Sequence, residues 1–230
     1  MKTPKKSFTI FALLAGITFS YAQEKVEYAT PWYGIVGLLY NTGHYKGNIT
    51  SKNISLAYFD VRYVHFGKNG FMDIGGPVAG WLATRVFSSG DKTSFIKDEG
   101  EVSYLYFKIG KRIIDWKGVS LGAGFSGDIR GVSVKDIGQT VNGFWGFSPL
   151  VYARINAAFL TIVPIAEYNI LYSAKRRGFT FGTYVVFPVS KNLGITINPS
   201  YELANYKFKT TGNKMSSSNL FLRVGLVKKI

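Results

Sequence analysis

Residues 192–206 read NLGITINPSYELANY, and their side chains alternate in character at every second position. One phase is apolar and includes Leu193, Ile195 and Ile197, whereas the other phase is small or polar and includes Glu202. Successive side chains of a β-strand point to opposite faces. The stretch therefore predicts a strand with one wall in an apolar medium and the other in a polar one.

The same period of two recurs along the chain, while helical periodicity is nearly absent. Most of the alternating segments run 10–14 residues, which is longer than the roughly 5–6 of globular sheets and matches the roughly 9–11 of a tilted membrane-spanning strand. The third is the least regular, because Gly75-Gly76-Pro77 must bend or interrupt it. The ten predicted strands are 31–41, 53–64, 74–87, 101–113, 118–129, 145–156, 158–170, 178–188, 192–206 and 218–229.

The predicted connections alternate in length. Tight turns follow the even-numbered strands, at 65–70, 115–118, 156–157 and 189–192. Outer-membrane barrels have short periplasmic turns and longer external loops, whereas a soluble sandwich has no reason to separate loop lengths in this way. Longer, mostly polar connections follow the odd-numbered strands, at 42–52, 88–100, 130–144, 171–177 and 207–217.

The composition also favours a membrane protein or a large β-architecture. The 230 residues are 47% hydrophobic, 16% aromatic and only 18% charged, with 28 Lys plus Arg against 13 Asp plus Glu. The hydrophobic content excludes a disordered chain. The absence of cysteine excludes a disulfide framework, a cysteine-based zinc site and a thiol nucleophile.

The first residues predict an export signal. Lys2, Lys5 and Lys6 precede an apolar run over 8–19, and Ser20-Tyr21-Ala22 gives the small-x-small pattern of a cleavage site. The run is too short to cross a hydrocarbon core, which needs about 20 residues. We expect residues 1–22 to be removed and 23–230 to form the mature barrel, with a net charge of 15 − 3 = +12.

The signal segment, the alternating strands, the aromatic enrichment and the unequal connections make the mature chain resemble small bacterial outer-membrane β-barrel proteins. The resemblance covers the whole mature chain, is architectural, and includes no motif of a specific subfamily. It implies an all-β fold, a transmembrane antiparallel up-and-down β-barrel, with ten strands favoured over eight. It also implies a location in the bacterial cell outer membrane.

Aromatic residues cluster near the predicted strand ends. Amphipathic rings suit headgroup depth, which predicts the aromatic girdles of a barrel, although aromatic residues favour strands anywhere. The residues are Trp32, Tyr33, Tyr40, Tyr63, Trp81, Phe144, Trp145, Tyr168, Phe187, Tyr201 and Tyr206.

The polar phase predicts a charged lumen. A barrel of eight to ten strands is barely wide enough for its own side chains, so we expect charges to pair across it and close it. A narrow channel with a slight anion preference is the alternative. Gly122 and Gly124, with Ser120 and Ser126, could accommodate an opposite arginine or leave a gap. The predicted lumen charges are Asp60, Arg62, Lys108, Arg112, Asp128, Arg130, Arg154, Glu167, Glu202 and Arg223.

The sequence offers little for catalysis. His44 is predicted in the first long loop and His65 at the first tight turn, on opposite sides of the membrane, so they cannot share a site. The carboxylates near residue 98 are interleaved with lysines, which is typical of a solvated loop, and no phosphate-binding glycine loop, EF-hand or zinc spacing occurs. We expect no catalytic residues, no metal and no cofactor.

Basic residues flank the predicted external loops, most densely at Lys175, Arg176 and Arg177. They suit contact with phosphorylated lipid headgroups such as those of lipopolysaccharide, or with a protein partner; they could equally keep the loops soluble. Nucleic acid is improbable for an exported barrel. The others are Lys46, Lys52, Lys207, Lys209 and Lys214.

The mature chain leaves no room for a further domain, so its work would fall to the outer wall, the loops or the lumen. The first hypothesis is an accessory or scaffold subunit that docks to a larger outer-membrane protein complex or to lipid headgroups. The alternative is a narrow, weakly anion-preferring passive pore. A lipid-modifying outer-membrane enzyme is the third.

Overall fold

The computed structural model describes residues 32–48, 51–67, 69–76, 100–116, 118–134, 139–157, 159–171, 176–207 and 214–229. The predicted signal at 1–22, the carboxylates near residue 98 and most of the predicted third strand lie outside the described residues. No helix formed by the described residues is long and apolar enough to cross a membrane.

The described residues form one antiparallel sheet of eleven strands, whose last strand pairs with its first. Strands β1 and β11 pair along most of their length; for example, Leu38 pairs with Val224 and His44 pairs with Ser218. The ring closes through β1, β3 and β11, whereas β2 pairs with β1 alone among the described strands. The strands are β1 Trp32–Lys46, β2 Ser51–Phe59, β3 Val61–Phe66, β4 Gly70–Gly76, β5 Gly100–Trp116, β6 Val119–Val134, β7 Gln139–Ala157, β8 Leu160–Leu171, β9 Arg177–Pro188, β10 Leu193–Lys207 and β11 Lys214–Lys229.

Strands β2 and β3 lie end to end along β1. Leu38 of β1 pairs with Phe59 of β2, and Gly34 pairs with Val64 of β3. Between them, the Asp60 amide donates a hydrogen bond of 3.0 Å to the Gly37 carbonyl. The fold is thus an all-β antiparallel barrel, as predicted, but the predicted count of ten strands is not confirmed.

Several strands run farther than predicted. Much of the predicted loops 42–52 and 130–144 is strand: β1 continues to Lys46, and β6 and β7 stay paired as far as Val134 with Gln139. The predicted third strand also starts too late, because β4 begins at Gly70. Ladder hydrogen bonds depend on the backbone alone, so pairing continues beyond the point where the apolar alternation ends.

The connections divide between two ends of the barrel. The turn end carries the described residues Gly67, Asn69, Gly118, Phe159 and 189–192, together with Trp32 and Lys229 at one end of the closing pair. The loop end carries the strand termini Lys46, Ser51, Gly100, Val134, Gln139, Leu171, Arg177, Lys207 and Lys214. The long strands cross between one end and the other, whereas β2 and β3 together cover the length of β1.

Burial is inverted relative to a soluble protein. Along β11, Leu220, Leu222, Val224 and Leu226 are exposed on the outer wall, while the alternate positions are buried or half-buried inside. Buried polar residues inside the barrel include Asn41, Asp60, Arg62, Asp73, Ser126, Glu167, Asn198, Glu202 and Asn219. A wall of large exposed apolar side chains around a polar interior is the pattern of a membrane-spanning barrel.

The predicted girdle aromatics divide between the two faces. Most of those described are exposed on the outer wall, namely Tyr40, Tyr63, Trp145, Tyr168, Phe187 and Tyr201. Tyr206 is the exception: it is 2% exposed and points inside, so its assignment to a girdle is wrong. Trp81 lies outside the described residues, and the side chains of Trp32, Tyr33 and Phe144 also fall outside the described part.

Candidate functional site

The polar interior contains a belt of ion pairs contributed by most of the strands. Arg223 of β11 donates from Nε to Asp60 Oδ2 at 2.9 Å, and the hydroxyl of Tyr106 on β5 donates to the same oxygen at 3.3 Å. The Arg223 guanidinium also lies 5.3 Å from the Tyr106 ring centroid. Asp60 is 1% exposed, so one buried carboxylate is held from two distant strands.

A second cluster lies beside it, toward the turn end. Arg62 Nη1 lies 3.6 Å from Asp73 Oδ2 and donates to Asn198 Oδ1 at 3.3 Å. The Tyr184 hydroxyl donates to the same Asp73 oxygen, and the Arg62 guanidinium lies 5.6 Å from the Tyr184 ring. Because both charges are fully buried, each depends on the other for its stability.

The third cluster is centred on Glu167 of β8. Lys108 of β5 donates to one carboxylate oxygen, and Ser126 of β6 donates to the other at 2.6 Å. Glu167 is 6% exposed. Ser126 belongs to the small-residue stripe, by which we mean Ser120, Gly122, Gly124 and Ser126 of the predicted lumen. It thus donates a hydrogen bond to a carboxylate on a different strand.

The fourth cluster surrounds Glu202 of β10. Arg130 Nη1 donates to both carboxylate oxygens at 2.9 Å, and Arg130 also pairs with Asp128. Arg176 pairs with the same carboxylate and donates from Nε to the Tyr206 hydroxyl at 2.9 Å. Two arginines and one buried glutamate form a triad.

This triad corrects the expectation that Arg176 contacts headgroups or a partner, since its side chain is 1% exposed and lies inside the barrel. Within the predicted basic run, Arg177 is exposed on the outer wall and Lys175 lies outside the described residues. The strand β9 begins at Arg177, so consecutive residues point to opposite faces.

The remaining two predicted lumen charges lie near the turn end and join none of these clusters. Arg154 Nη1 donates to the Gly67 carbonyl at 2.8 Å, and its Nε donates to Asn156 Oδ1 at 3.0 Å. Arg112 pairs with Asp115 at 2.7 Å, where both side chains are about a quarter exposed. The clusters therefore form in the middle of the barrel, where solvent is scarce.

Buried apolar side chains form two clusters, one on each side of the belt. The turn-end cluster consists of Val64, Phe66, Phe71, Leu150, Tyr152, Val163, Ile165, Tyr184, Val186 and Val227. The loop-end cluster consists of Tyr45, Val132, Val134, Ala204, Tyr206 and Met215. Along β11, Arg223 lies between Val227 of the first cluster and Met215 of the second.

A cavity of about 50 Å³ remains in the belt, and its lining includes Lys108, Ser126, Glu167, Glu202 and Arg223. A buried water needs roughly 10–15 Å³ by a comparable measure, and it needs two to four polar partners. The cavity can hold a few waters among charged groups, but no solute of metabolite size.

The Tyr152 side chain covers the small-residue stripe at Gly122, on the inner face of the sheet. Gly122 pairs with Tyr152 across β6 and β7. A Cβ atom at Gly122 would overlap the Tyr152 ring, and one at Gly110 would lie 2.5 Å from both Phe71 and Tyr152. Of the two alternatives, an arginine from the opposite wall or a gap, neither is found at Gly122: an aromatic ring from the adjacent strand occupies the depression that the glycines leave in the inner surface.

The two histidines are far apart, as expected, but His44 is not in a loop. It lies on the outer face of β1, where Nδ1 is 2.7 Å from Asn53 Oδ1 of β2. His65 lies on β3, near the turn end. Among the described residues, no group of three or more His, Cys, Asp or Glu side chains could hold a metal ion.

Two residues of the belt were missed by the sequence reasoning. Asp73 was placed before the third predicted strand, whereas it lies within β4 and points inward. Arg176 was assigned to a loop because of its basic neighbours. Alternation counted back from Gly178 and Thr180, which are buried, would have placed Arg176 on the inner face.

The chain matches no family model and no curated protein. Its fold is similar to solved structures of outer-membrane barrels. The outer membrane protease OmpT from Escherichia coli is 10% identical, with a TM-score of 0.38 over 90% of this chain and 99% of that chain. Ail of Yersinia pestis, in complex with the heparin analogue sucrose octasulfate, is 8% identical, with a TM-score of 0.33 over 86% and 98%. The Pseudomonas putida toluene transporter TodX is 8% identical, with a TM-score of 0.35 over 94% and 93%.

The predicted resemblance to small outer-membrane β-barrel proteins is confirmed, without a specific subfamily. The closed sheet with its apolar outer wall and polar interior places the chain in the bacterial outer membrane.

The prediction that the chain is not an enzyme is corrected. That prediction relied on the absence of a recognisable catalytic motif, whereas one of the barrels to which the chain is similar in fold is an outer membrane protease. The likeness is one of fold and establishes no activity for this chain.

Proposed function

We propose that the chain is an outer-membrane barrel whose lumen is closed, and that it acts as an accessory or scaffold subunit of a larger outer-membrane complex. The observation that carries this proposal is the belt of paired charges between two apolar clusters. Such an interior offers no continuous aqueous path. Function is then left to the outer wall and the two ends.

In this proposal β2 and β3 act as one membrane-crossing strand, so ten strands cross the bilayer. Support comes from their end-to-end pairing with the single strand β1. The turn end faces the periplasm and the loop end faces the exterior, in line with the short inner turns of such barrels. An even number of crossings also leaves both ends of the described chain on the same side.

The turn end offers a surface for a partner. Trp116, Phe159 and Val189 lie at the tips of three successive hairpins and are 62%, 59% and 61% exposed. Apolar side chains at neighbouring tips suit contact with another protein, because their burial contributes about 25 cal/mol per Å².

Conductance tests the closed lumen. The purified protein in planar bilayers should produce no discrete current steps above those of empty bilayers. Discrete steps whose anion preference changes in an Arg223→Leu variant would reject the closed lumen and favour the narrow pore.

Extraction in mild detergent tests the scaffold role. The barrel should leave native membranes in a stoichiometric complex larger than itself. Trp116→Ser, Phe159→Ser and Val189→Ser together should release it from that complex. The matched control combines Lys191→Ser and Lys228→Ser at the same end of the barrel. This variant should remain in the complex. Elution of the unchanged protein alone would contradict the scaffold role.

A further inference from the structure

Four cations line a concavity of about 440 Å³ at the loop end of the barrel. Lys46, Arg177, Lys207 and Lys214 are all exposed, and they come from the adjacent strands β1, β9, β10 and β11. We call this set the basic rim. Because β1 pairs with β11, Lys46 and Lys214 lie on one surface although they are 168 positions apart in the chain (214 − 46).

The register places the four cations on the outer face of the sheet, whereas Tyr206 and Met215, which also line the concavity, point inside. Arg177 pairs with Asn205, Asn205 pairs with Ser216, and Ser216 pairs with Lys46, which gives one continuous cross-strand row. Lys207 and Lys214 form the next row of the same face. Paired residues of an antiparallel sheet point to the same face, so the cations and the two small polar residues share it.

Carboxylates are missing from the described surroundings of these four cations. In the described part of the chain, none of the four cations takes part in an ion pair. The sequence of the connecting segments 47–50, 172–175 and 208–213 contains no Asp or Glu. Like charges held together on a concave surface attract an anion that bridges them.

Apolar side chains begin immediately below the basic rim on the same outer face. Leu203 lies two positions from Asn205 and pairs with Phe179, and they are 43% and 50% exposed. Leu220, with 48% exposure, lies one step lower on β11. Cationic and apolar surfaces therefore meet at the border of the membrane-facing wall.

We propose that the basic rim binds the phosphate groups of a phosphorylated glycolipid of the outer leaflet, with its acyl chains against Phe179, Leu203 and Leu220. This inference rests on the proposed orientation, in which the loop end faces the exterior. A soluble polyanion would use the cations alone. The border position favours a molecule that carries both phosphate and acyl chains, because it satisfies both surfaces at once.

The experiment compares two triple variants in detergent micelles doped with bisphosphorylated lipid A. Lys46→Gln, Lys207→Gln and Lys214→Gln remove charge from the basic rim. Lys111→Gln, Lys191→Gln and Lys228→Gln remove the same charge from exposed positions at the turn end. Heat-modifiable gel migration first verifies that each variant is folded. Bound lipid per barrel is then measured by native mass spectrometry.

The rim variant should bind lipid A at least about tenfold more weakly, since it lacks three of the four cations that attract the phosphates. The turn-end variant should bind as the unchanged protein does. Lipid A without its phosphates, and the deacylated bisphosphorylated disaccharide, should each bind weakly.

Equal binding by the two triple variants would overturn the proposed site, and so would full-strength binding of the deacylated disaccharide. If either of these binding results is obtained and the barrel does not conduct in the bilayer experiment, the proposal of a closed lumen is unaffected. Current steps in the bilayer experiment would instead refute the closed lumen without affecting the basic rim.

Discussion

Replacing Arg223 with Leu should destabilise the barrel strongly, because it leaves the Asp60 carboxylate without its ionic partner. The two atoms are 2.9 Å apart, and the side chains are 14% and 2% exposed. Removing one member of a buried pair costs about 3–5 kcal/mol. The Tyr106 hydroxyl still contacts Asp60, so we expect the lower figure, about 3 kcal/mol. At roughly 2–4 °C per kcal/mol for a chain of this size, the midpoint of heat-modifiable gel migration should fall by about 6–12 °C.

A double-mutant cycle isolates the pair. Asp60→Asn in the Arg223→Leu background should recover part of the loss, since no buried charge then remains unpaired. Glu202→Gln and Glu167→Gln should recover nothing, because Glu202 pairs with Arg130 and Arg176 and Glu167 pairs with Lys108.

Arg112 and Asp115 provide the matched control in the same barrel. Their side chains lie 2.7 Å apart but are 20% and 26% exposed, so the corresponding cycle should give at most about 1 kcal/mol. If Arg223→Leu were no more destabilising than Arg112→Leu, the interior would be hydrated and the closed-lumen reasoning would fail.

Three further predictions concern the stripe, the topology and export. Gly122→Leu should cost about 1–3 kcal/mol of stability, because its side chain would overlap both the Tyr152 ring and the Lys111 backbone carbonyl. Ala123→Leu on the outer wall should change the stability little, and equal losses for the two leucine variants would contradict this packing. On intact cells, protease should cleave within 77–99 and spare the turns at 67–69 and 189–192; cleavage confined to those turns would invert the topology. The membrane-embedded protein should begin at Gln23 by intact mass, and a mass that includes Met1 would exclude the predicted cleavage.

The sequence alone was sufficient to find most of the strands and their two faces. Alternation is a local property, since each strand residue points opposite to its neighbour regardless of what the strand pairs with. For this reason Glu202 and Arg223 could be assigned to the interior, and Leu220 and Leu222 to the outer wall, before any pairing was known. The lengths of the connections likewise separated the two ends of the barrel.

Which charges meet was decided only by the tertiary structure. Asp60 contacts Arg223 over 163 residues of chain, because closure of the sheet and the register of every strand set their relative height. Strand limits also depend on a partner: Asp73 belongs to the belt because β4 begins at Gly70. Arg176 lies inside because the pairing of β9 fixes its phase, whereas its basic neighbours in sequence suggested a loop. Local patterns determine the face on which a side chain lies, and long-range register determines what it contacts there.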